Sequence, residues 1–248
     1  MDADRRAQLL VGRIRVTARR LGGRDAGPHH VALRVLTQTL MELSELTGVL
    51  DFLRAAERLK STTRTGYTST GQQESVAEHT WRLCLMALVL GPSFPDVDFA
   101  KLVKICIIHD LGEAIHGDVS APEQARRAAL GIAGGKADQE RRDLMQLLDP
   151  LPPARRDEIA GLWDEYEAAQ SPEAKLAKAL DKLETIMQHN QGLNPADFDY
   201  RFNLGYGRQH TADNPLIAQV REILDRETEA RAREAESRVT PRASDEAL

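Results

Sequence analysis

The sequence predicts an all-α protein. Aromatic residues make up only 4% of the chain, and no stretch alternates apolar and polar residues as a half-buried strand does. Apolar residues instead recur at helical spacing in segments bounded by glycine and proline. We therefore expect one domain over residues 31–235, a helical extension over 1–30 and a charged, disordered tail over 236–248.

The elements are predicted in chain order from periodicity and breakers. Residues 31–60 are expected to form one or two helices broken around Gly48, and 61–73 a polar, glycine-containing loop. A helix over 97–111 is apolar nearly all round, which is typical of a central helix. Ser171 and Pro172 provide a cap and first turn for another helix. The remaining helices are predicted over 74–90, from Pro122 to an interruption at 131–135, and over 137–148, 158–169 and 215–235.

Charge and hydropathy exclude two classes of partner. The net charge of −5 argues against a nucleic-acid polymer, whose binding needs a basic face. The longest apolar run, Leu83–Leu90, is far shorter than the roughly 20 residues of a membrane span. Cys84 and Cys106 lie in apolar helical runs and are expected to be small buried side chains. We expect a cytoplasmic protein.

Three segments place ionisable side chains on helices that are otherwise built for burial. They are ESVAEHT at 74–80, IIHDLGEAIHGD at 107–118 and AKALDKLE at 177–184. His79 shares a helix face with Val76 and Leu83, where an unpaired polar group would be costly. One buried histidine is more often a satisfied core residue than a ligand. The combination of two imidazoles with carboxylates favours a divalent metal ion with open positions for water and substrate.

His109 and Asp110, the HD pair, set a geometric condition. Neighbouring side chains leave a helix about 100° apart, so both can reach one ion only near the helix end, where Gly112 follows. Glu113 is four residues after His109 and shares its face. A general base or acid beside an activated water requires such a position.

The order and spacing of these residues resemble the HD-domain superfamily of metal-dependent phosphohydrolases. His79 and His109 are 30 residues apart, and Asp110 and Asp181 are 71 apart. The fuller strings ESVAEHT, HDLGEAIHGD and DKLE are similar to its 5'-deoxynucleotidase branch. The likeness covers roughly residues 43–224 and implies an HD-domain helical bundle whose central buried helix carries the HD pair.

The resemblance also implies roles for individual residues. The two carboxylates after the HD pair would orient and activate the attacking water. A loop arginine would contact the nucleotide. In the family a tryptophan accompanies this arginine and helps to select deoxyribose; here a tyrosine is the candidate for that role, and the rest of the loop departs from the family pattern. The metal ligands would be His79, His109, Asp110 and Asp181, the catalytic pair Glu113 and Asp118, and the substrate-binding residues Arg64 and Tyr67.

The implied activity is removal of the 5'-phosphate from nucleoside or deoxynucleoside monophosphates by a metal-bound water, in a homodimer. Hydrolysis of another phosphate ester (a cyclic nucleotide, a triphosphate or a specialised metabolite) and a non-catalytic metal and nucleotide sensor remain alternatives. Two-metal HD enzymes carry further histidines between the HD pair and the last aspartate, and 119–180 contains none. One ion is therefore expected, chosen from Mn, Co, Fe, Ni, Zn and Mg.

Four other aromatic or imidazole side chains are expected to have no chemical role. His189 and His210 are predicted to be ordinary surface or helix-end histidines. Trp81 and Trp163 are predicted to be core or interface residues.

Overall fold

The computed structural model describes residues 28–119, 123–124, 126, 129–130 and 136–239. The all-α prediction is confirmed, because the regular secondary structure of these residues is helical apart from a two-stranded sheet. Most of the predicted N-terminal extension and tail, the helix start at Pro122 and the interruption at 131–135 lie outside this part of the chain. The domain limits therefore stay a prediction.

The elements follow one another in this order. The helices are α1 (Pro28–Ala56), α2 (Val76–Leu90), α3 (Phe99–Ile108), α4 (Glu113–His116), α5 (Lys136–Leu148), α6 (Pro153–Ala168), α7 (Pro172–Gln191), α8 (Phe202–Gly205), α9 (Arg208–Thr211) and α10 (Pro215–Val239). The strands β1 (Thr63–Tyr67) and β2 (Gln73–Ser75) precede α2, and 3-10 turns occupy Glu57–Lys60 and Gly91–Ser93.

The predicted break at Gly48 is wrong, because α1 runs through it. A Cβ built at this position would lie 2.0 Å from the carbonyl oxygen of Pro150. The glycine therefore allows the backbone at Pro150 to approach the helix closely. The small loss of helix stability that glycine causes is less than the cost of the clash that a larger residue would produce here. Sequence alone cannot distinguish this use of glycine from helix termination.

The predicted loop 61–73 is also partly wrong, because it contains β1 of an antiparallel hairpin. Thr63 pairs with Ser75 and Tyr67 with Gln73, so four steps along β1 oppose two along β2. This register shift is a bulge, a feature that bends a strand and redirects its side chains. Arg64 lies in the bulged part of β1, and its side chain turns into the protein rather than towards solvent.

Helix caps explain where the two ligand-bearing helices begin. Ser75 Oγ accepts a hydrogen bond from the backbone N–H of Glu78, and Glu78 Oε2 accepts one from the N–H of Ser75, which together form a capping box for α2. Ser171 Oγ accepts from the N–H of Ala174 at the start of α7, as predicted. Ser75 and Glu78 of ESVAEHT thus fix the frame in which His79 points inward.

Helix α3 lies between two hydrophobic clusters. One cluster joins α2, α3, α7 and α10 and includes Ile105 and Leu180. The other joins the end of α1 with α5 and α6 and includes Ile108 and Trp163. The helix is central, as predicted, but it is not buried all round, since Ile107 is 49% exposed. The site lies where α3 ends, between the clusters.

The described helices include none that is both long and apolar enough to cross a membrane.

Candidate metal centre and its cavity

Four side chains meet at the end of α3 and form what we call the ligand cluster. His79 Nε2 lies 3.4 Å from His109 Nε2 and 3.3 Å from Asp181 Oδ1. Asp110 Oδ2 lies 3.0 Å from His109 Nε2 and 3.9 Å from His79 Nε2. The structure therefore brings together all four predicted ligands.

Three different elements supply these side chains. His79 is in the first turns of α2 and is fully buried. Helix α3 ends at Ile108, so the HD pair lies in the turn that follows it, which is how two consecutive side chains reach one point. Asp181 is in the middle of α7, which packs against both other helices.

The spacing of the donor atoms fits a divalent ion. Ligands bonded at about 2.1 Å lie about 3.0 Å apart at right angles and about 4.2 Å apart across the ion. The distances from the two imidazole Nε2 atoms to each other and to the carboxylate oxygens of the ligand cluster run from 3.0 Å to 4.0 Å, and His79, His109 and Asp181 form a group with the close spacing of metal ligands. Each imidazole has its second nitrogen fixed, because His79 Nδ1 contacts Glu184 Oε2 and His109 Nδ1 lies 2.8 Å from the carbonyl oxygen of Cys106. Both Nε2 atoms are thereby directed to the centre.

Electrostatics also favour a cation at the centre of the cluster. Burial would raise the pKa of Asp110, but His109 and the Arg64 guanidinium hold it below its usual range. Burial of Asp181 is outweighed in the same way by Lys182 and His79, so its pKa is also lowered. For His79, burial and Arg64 oppose protonation, yet Glu184 and Asp181 raise the pKa to about 9. The carboxylates thus stay charged and attract positive charge.

The predicted catalytic pair lines the same cavity. Glu113 is buried at the start of α4, and burial followed by the charges of Asp110 and Asp118 raises its pKa to about 10. Its Oε2 has no hydrogen-bond partner among the described residues. An orphaned carboxyl atom beside a ligand cluster fits a site that is completed by water or substrate. Asp118 also lines the cavity.

Arg64 reaches the ligand cluster from the hairpin. Its Nη1 donates to Asp110 Oδ2 at 3.0 Å and its Nη2 donates to Thr185 Oγ1 at 3.1 Å. The side chain is only 12% exposed, so it is not a solvated loop cation. Two fixed contacts hold the guanidinium next to the ligand cluster, where it can bind the same anion as the ion.

A cavity of about 720 Å³ opens above the ligand cluster. This volume is in the range of small-molecule sites. Tyr67 lines it, and the backbone of Tyr67 is held by Gln188 Nε2 at its carbonyl and by Asn194 Oδ1 at its N–H. Both predicted substrate-binding residues thus lie in the cavity wall.

Sequence reasoning missed several residues of this site. Tyr166 Oη and Lys182 Nζ both donate to Asp181 Oδ2, at 2.9 Å and 2.8 Å, which leaves Oδ1 facing the ligand cluster. His189 lies at the helix end, as predicted, in the last turn of α7, but it is not a surface residue: it is buried in the cavity wall with its Nδ1 3.0 Å from Asn203 Oδ1. Its spacing of eight residues from Asp181 on α7 was a usable signal.

The remaining predictions on aromatic and imidazole side chains have mixed outcomes. His210 lies in the cavity wall and is only partly buried. Trp163 is a core residue whose Nε1 donates to the carbonyl oxygen of His109 at 3.1 Å. Trp81 is 67% exposed, so it does not belong to the core.

Comparison with known families agrees with this geometry. The model of the HD domain family matches residues 56–221. The chain belongs to the HD domain family. The match extends from the end of α1 into α10 and contains all eight predicted site residues. Among the described residues, two groups of buried side chains have the close spacing of metal ligands: His79, His109 and Asp181, and Glu74, His79 and Glu184.

Three curated relatives of the chain are each named as a 5'-deoxynucleotidase. The zebrafish 5'-deoxynucleotidase HDDC2 is 34% identical over 148 residues, which are 59% of this chain and 70% of that protein. The human 5'-deoxynucleotidase HDDC2 is 33% identical over 146 residues, covering 58% and 68%. The fission yeast 5'-deoxynucleotidase hdd1 is 30% identical over 154 residues, covering 60% and 74%.

A solved structure shares the fold. The predicted metal-dependent phosphohydrolase from Magnetospirillum magnetotacticum MS-1 superposes with a TM-score of 0.60 and 23% identity, over 77% of this chain and 96% of that one. At this level of identity the likeness extends to the helical architecture alone.

Proposed function

We propose that the protein is a metal-dependent phosphohydrolase that removes the 5'-phosphate from nucleoside and deoxynucleoside monophosphates. The observation that carries the proposal is that three members of the ligand cluster, a fixed arginine and a buried carboxyl line one cavity of nucleotide size; they are His109, Asp110, Asp181, Arg64 and Glu113. Phosphoryl transfer needs charge neutralisation and an in-line nucleophile, and these groups can provide both. The names of the relatives support the same reaction class.

The ligand cluster would hold the ion and position the phosphate. When bound, a divalent ion neutralises the phosphoryl oxygens, activates a water and lowers the pKa of carboxyls beside it. Arg64 binds a phosphate oxygen through the N–H groups that now contact Asp110 and Thr185. The products are a nucleoside and inorganic phosphate.

Glu113 and Asp118 would orient the attacking water and take up its proton. Both line the cavity on the side where the HD pair ends. Glu113 needs a pKa near the working pH to exchange a proton. In the ion-free protein its pKa is raised to about 10, and a bound cation would lower it towards that range. Its unpaired Oε2 is free to bond a water.

We expect one ion per chain, of the set Mn, Co, Fe, Ni, Zn or Mg. The absence of histidines from residues 119–180, between the HD pair and Asp181, favours a single ion. A mixed nitrogen and oxygen ligand set accepts several of these metals, and cellular supply decides among them.

Two substitutions test the site by separating metal binding from turnover. Asp110→Ala removes a ligand and should lose bound metal and phosphate release together. Glu113→Ala should retain the metal and lose the rate by about 10²-fold or more, as expected for a general acid or base. Metal content is measured by mass spectrometry and turnover by phosphate release from dAMP.

Asp225→Ala is the matched control, since Asp225 pairs with Arg221 on α10 and does not line the cavity. It should keep both metal and activity. An active Asp110→Ala protein would contradict the assigned ligand cluster. Loss of metal in Glu113→Ala would move Glu113 from the catalytic pair to the ligands.

We also propose a homodimer. Four exposed apolar side chains follow one another along α2 at helical spacing, and such patches commonly mark association surfaces; they are Trp81, Leu85, Leu88 and Val89. Light scattering should give twice the chain mass. A monomeric mass in the wild-type protein would contradict this part of the proposal.

A further inference from the structure

A closed series of charged side chains, which we call the charge chain, lies behind the ligand cluster. Starting from His79, it passes through Glu184, Arg82, Glu74 and Arg64 to the aspartate of the HD pair. His79 and Glu184 are completely buried and Glu74 is 4% exposed. The charge chain thus links a metal ligand to the arginine that faces the substrate.

Glu184 has both carboxylate oxygens engaged. Its Oε2 contacts His79 Nδ1, and its Oε1 accepts from Arg82 Nε at 2.6 Å. A carboxylate on Nδ1 fixes the tautomer and the ring orientation of an imidazole and makes Nε2 a stronger donor to a metal. Glu184 is therefore placed to control how His79 presents Nε2 to the ligand cluster.

The same group has another interpretation, since Glu74, His79 and Glu184 have the close spacing of metal ligands themselves. Arg82 opposes a second ion there. Its Nη2 lies 2.6 Å from Glu184 Oε1 and 4.0 Å from Glu74 Oε1, so a guanidinium already supplies the positive charge. Arg64 Nε adds a further cation 3.8 Å from Glu74 Oε2.

We infer that Glu184 is a positioning residue that holds His79 for metal binding, and that Arg82 acts through Glu184. The inference rests on the proposed ligand cluster. Glu184 touches neither ion nor substrate. It sets the orientation and the basicity of the ring that does.

The test measures metal affinity rather than turnover. Metal-stripped protein is titrated with Co²⁺ by calorimetry, and its visible absorption reports the geometry around the ion. Glu184→Gln keeps the shape but removes the charge, so Co²⁺ should bind about 10- to 100-fold more weakly, the range for lost outer-shell partners, with an altered spectrum. Glu173→Gln, a buried glutamate of the same helix with Asp98 and Lys101 as partners, should leave both unchanged.

A double variant tests the role of Arg82. If Arg82 acts through Glu184, adding Arg82→Gln to Glu184→Gln should not weaken Co²⁺ binding further. Additive losses in the double variant would overturn that part. If Glu184→Gln fails to fold, Glu184→Asp replaces it. This variant keeps the buried pair with Arg82 but retracts the carboxylate from His79, so the same weaker Co²⁺ binding and altered spectrum are expected.

The Co²⁺ titrations distinguish a failure of this inference from a failure of the proposed ligand cluster. A folded Glu184 variant that binds Co²⁺ within about twofold of the wild type, with the same spectrum, overturns the inference alone. His79→Ala provides the reference. If it binds Co²⁺ as tightly as the wild type does, the ligand cluster is wrong and the inference falls with it.

Discussion

Glu113→Gln should stabilise the ion-free protein while abolishing phosphate release. Glu113 is buried with one oxygen unpaired among the described residues, and its pKa is raised to about 10. At neutral pH the folded protein therefore binds a proton at this carboxyl that the unfolded chain has released. Glutamine has nearly the same shape and needs no proton.

The magnitude follows from proton linkage. With an ordinary pKa of 4.5, taking up a proton at pH 7 costs up to about 3 kcal/mol, at about 1.4 kcal/mol per pH unit. Because the folded pKa is the higher one, this group makes the wild type less stable as pH rises from about 5 towards 10. The advantage of Glu113→Gln should therefore grow by about 3 kcal/mol between pH 6 and pH 8.

The assay is urea unfolding of metal-stripped wild type and variant at several pH values. Glu173→Gln is the control, because burial there is outweighed by hydrogen bonds from the Asp98 N–H and Lys101 that lower the pKa of Glu173. Its effect should be destabilising and constant over this pH range. Parallel pH profiles for wild type and Glu113→Gln would refute the reasoning, since they would mean that Glu113 stays ionised in the folded protein.

Three further substitutions probe the frame of the site. Trp163→Phe leaves the carbonyl oxygen of His109 without its hydrogen-bond donor. It should lower the free energy of unfolding, measured in urea, by about 1–3 kcal/mol; an unchanged free energy would mean that this hydrogen bond does not stabilise the fold. Gly192→Ala places a Cβ 2.2 Å from the carbonyl oxygen of Tyr67, so it should shift the hairpin and raise KM, and an unaltered KM would argue against a hairpin role in binding. Thr185→Val removes the acceptor of Arg64 Nη2 and should raise KM severalfold with metal content unchanged, whereas loss of metal would show that Thr185 supports the ligands instead.

The ligand cluster could be predicted because its chemistry conflicts with its surroundings. His79 and Asp181 lie on faces that otherwise carry core residues, and buried polar groups need partners. The HD pair follows an apolar helix and precedes Gly112, so the helix end could be placed within a few residues. Such local patterns can be recognised in the sequence without knowledge of the tertiary fold.

Features that depend on long-range packing could not be predicted. Gly48 resembles a helix breaker until the carbonyl of Pro150 is known to approach it. The hairpin around Arg64 is short and bulged, so it lacks the alternation of an ordinary strand. Glu184 ends the DKLE string, but its role has no local signal, because its partners His79 and Arg82 lie about a hundred residues away in the chain.

The most direct test of the proposed function is phosphate release by metal-stripped protein reloaded in turn with Mn, Co, Mg, Ni and Zn. The substrates are a panel of nucleoside and deoxynucleoside 5'-monophosphates, with Asp110→Ala as the blank. We expect metal-dependent release from the wild type and none from the variant, and a preference for deoxynucleotides would give Tyr67 a role in sugar selection. Absence of release with every metal, from protein that retains the ion, would contradict the proposed activity.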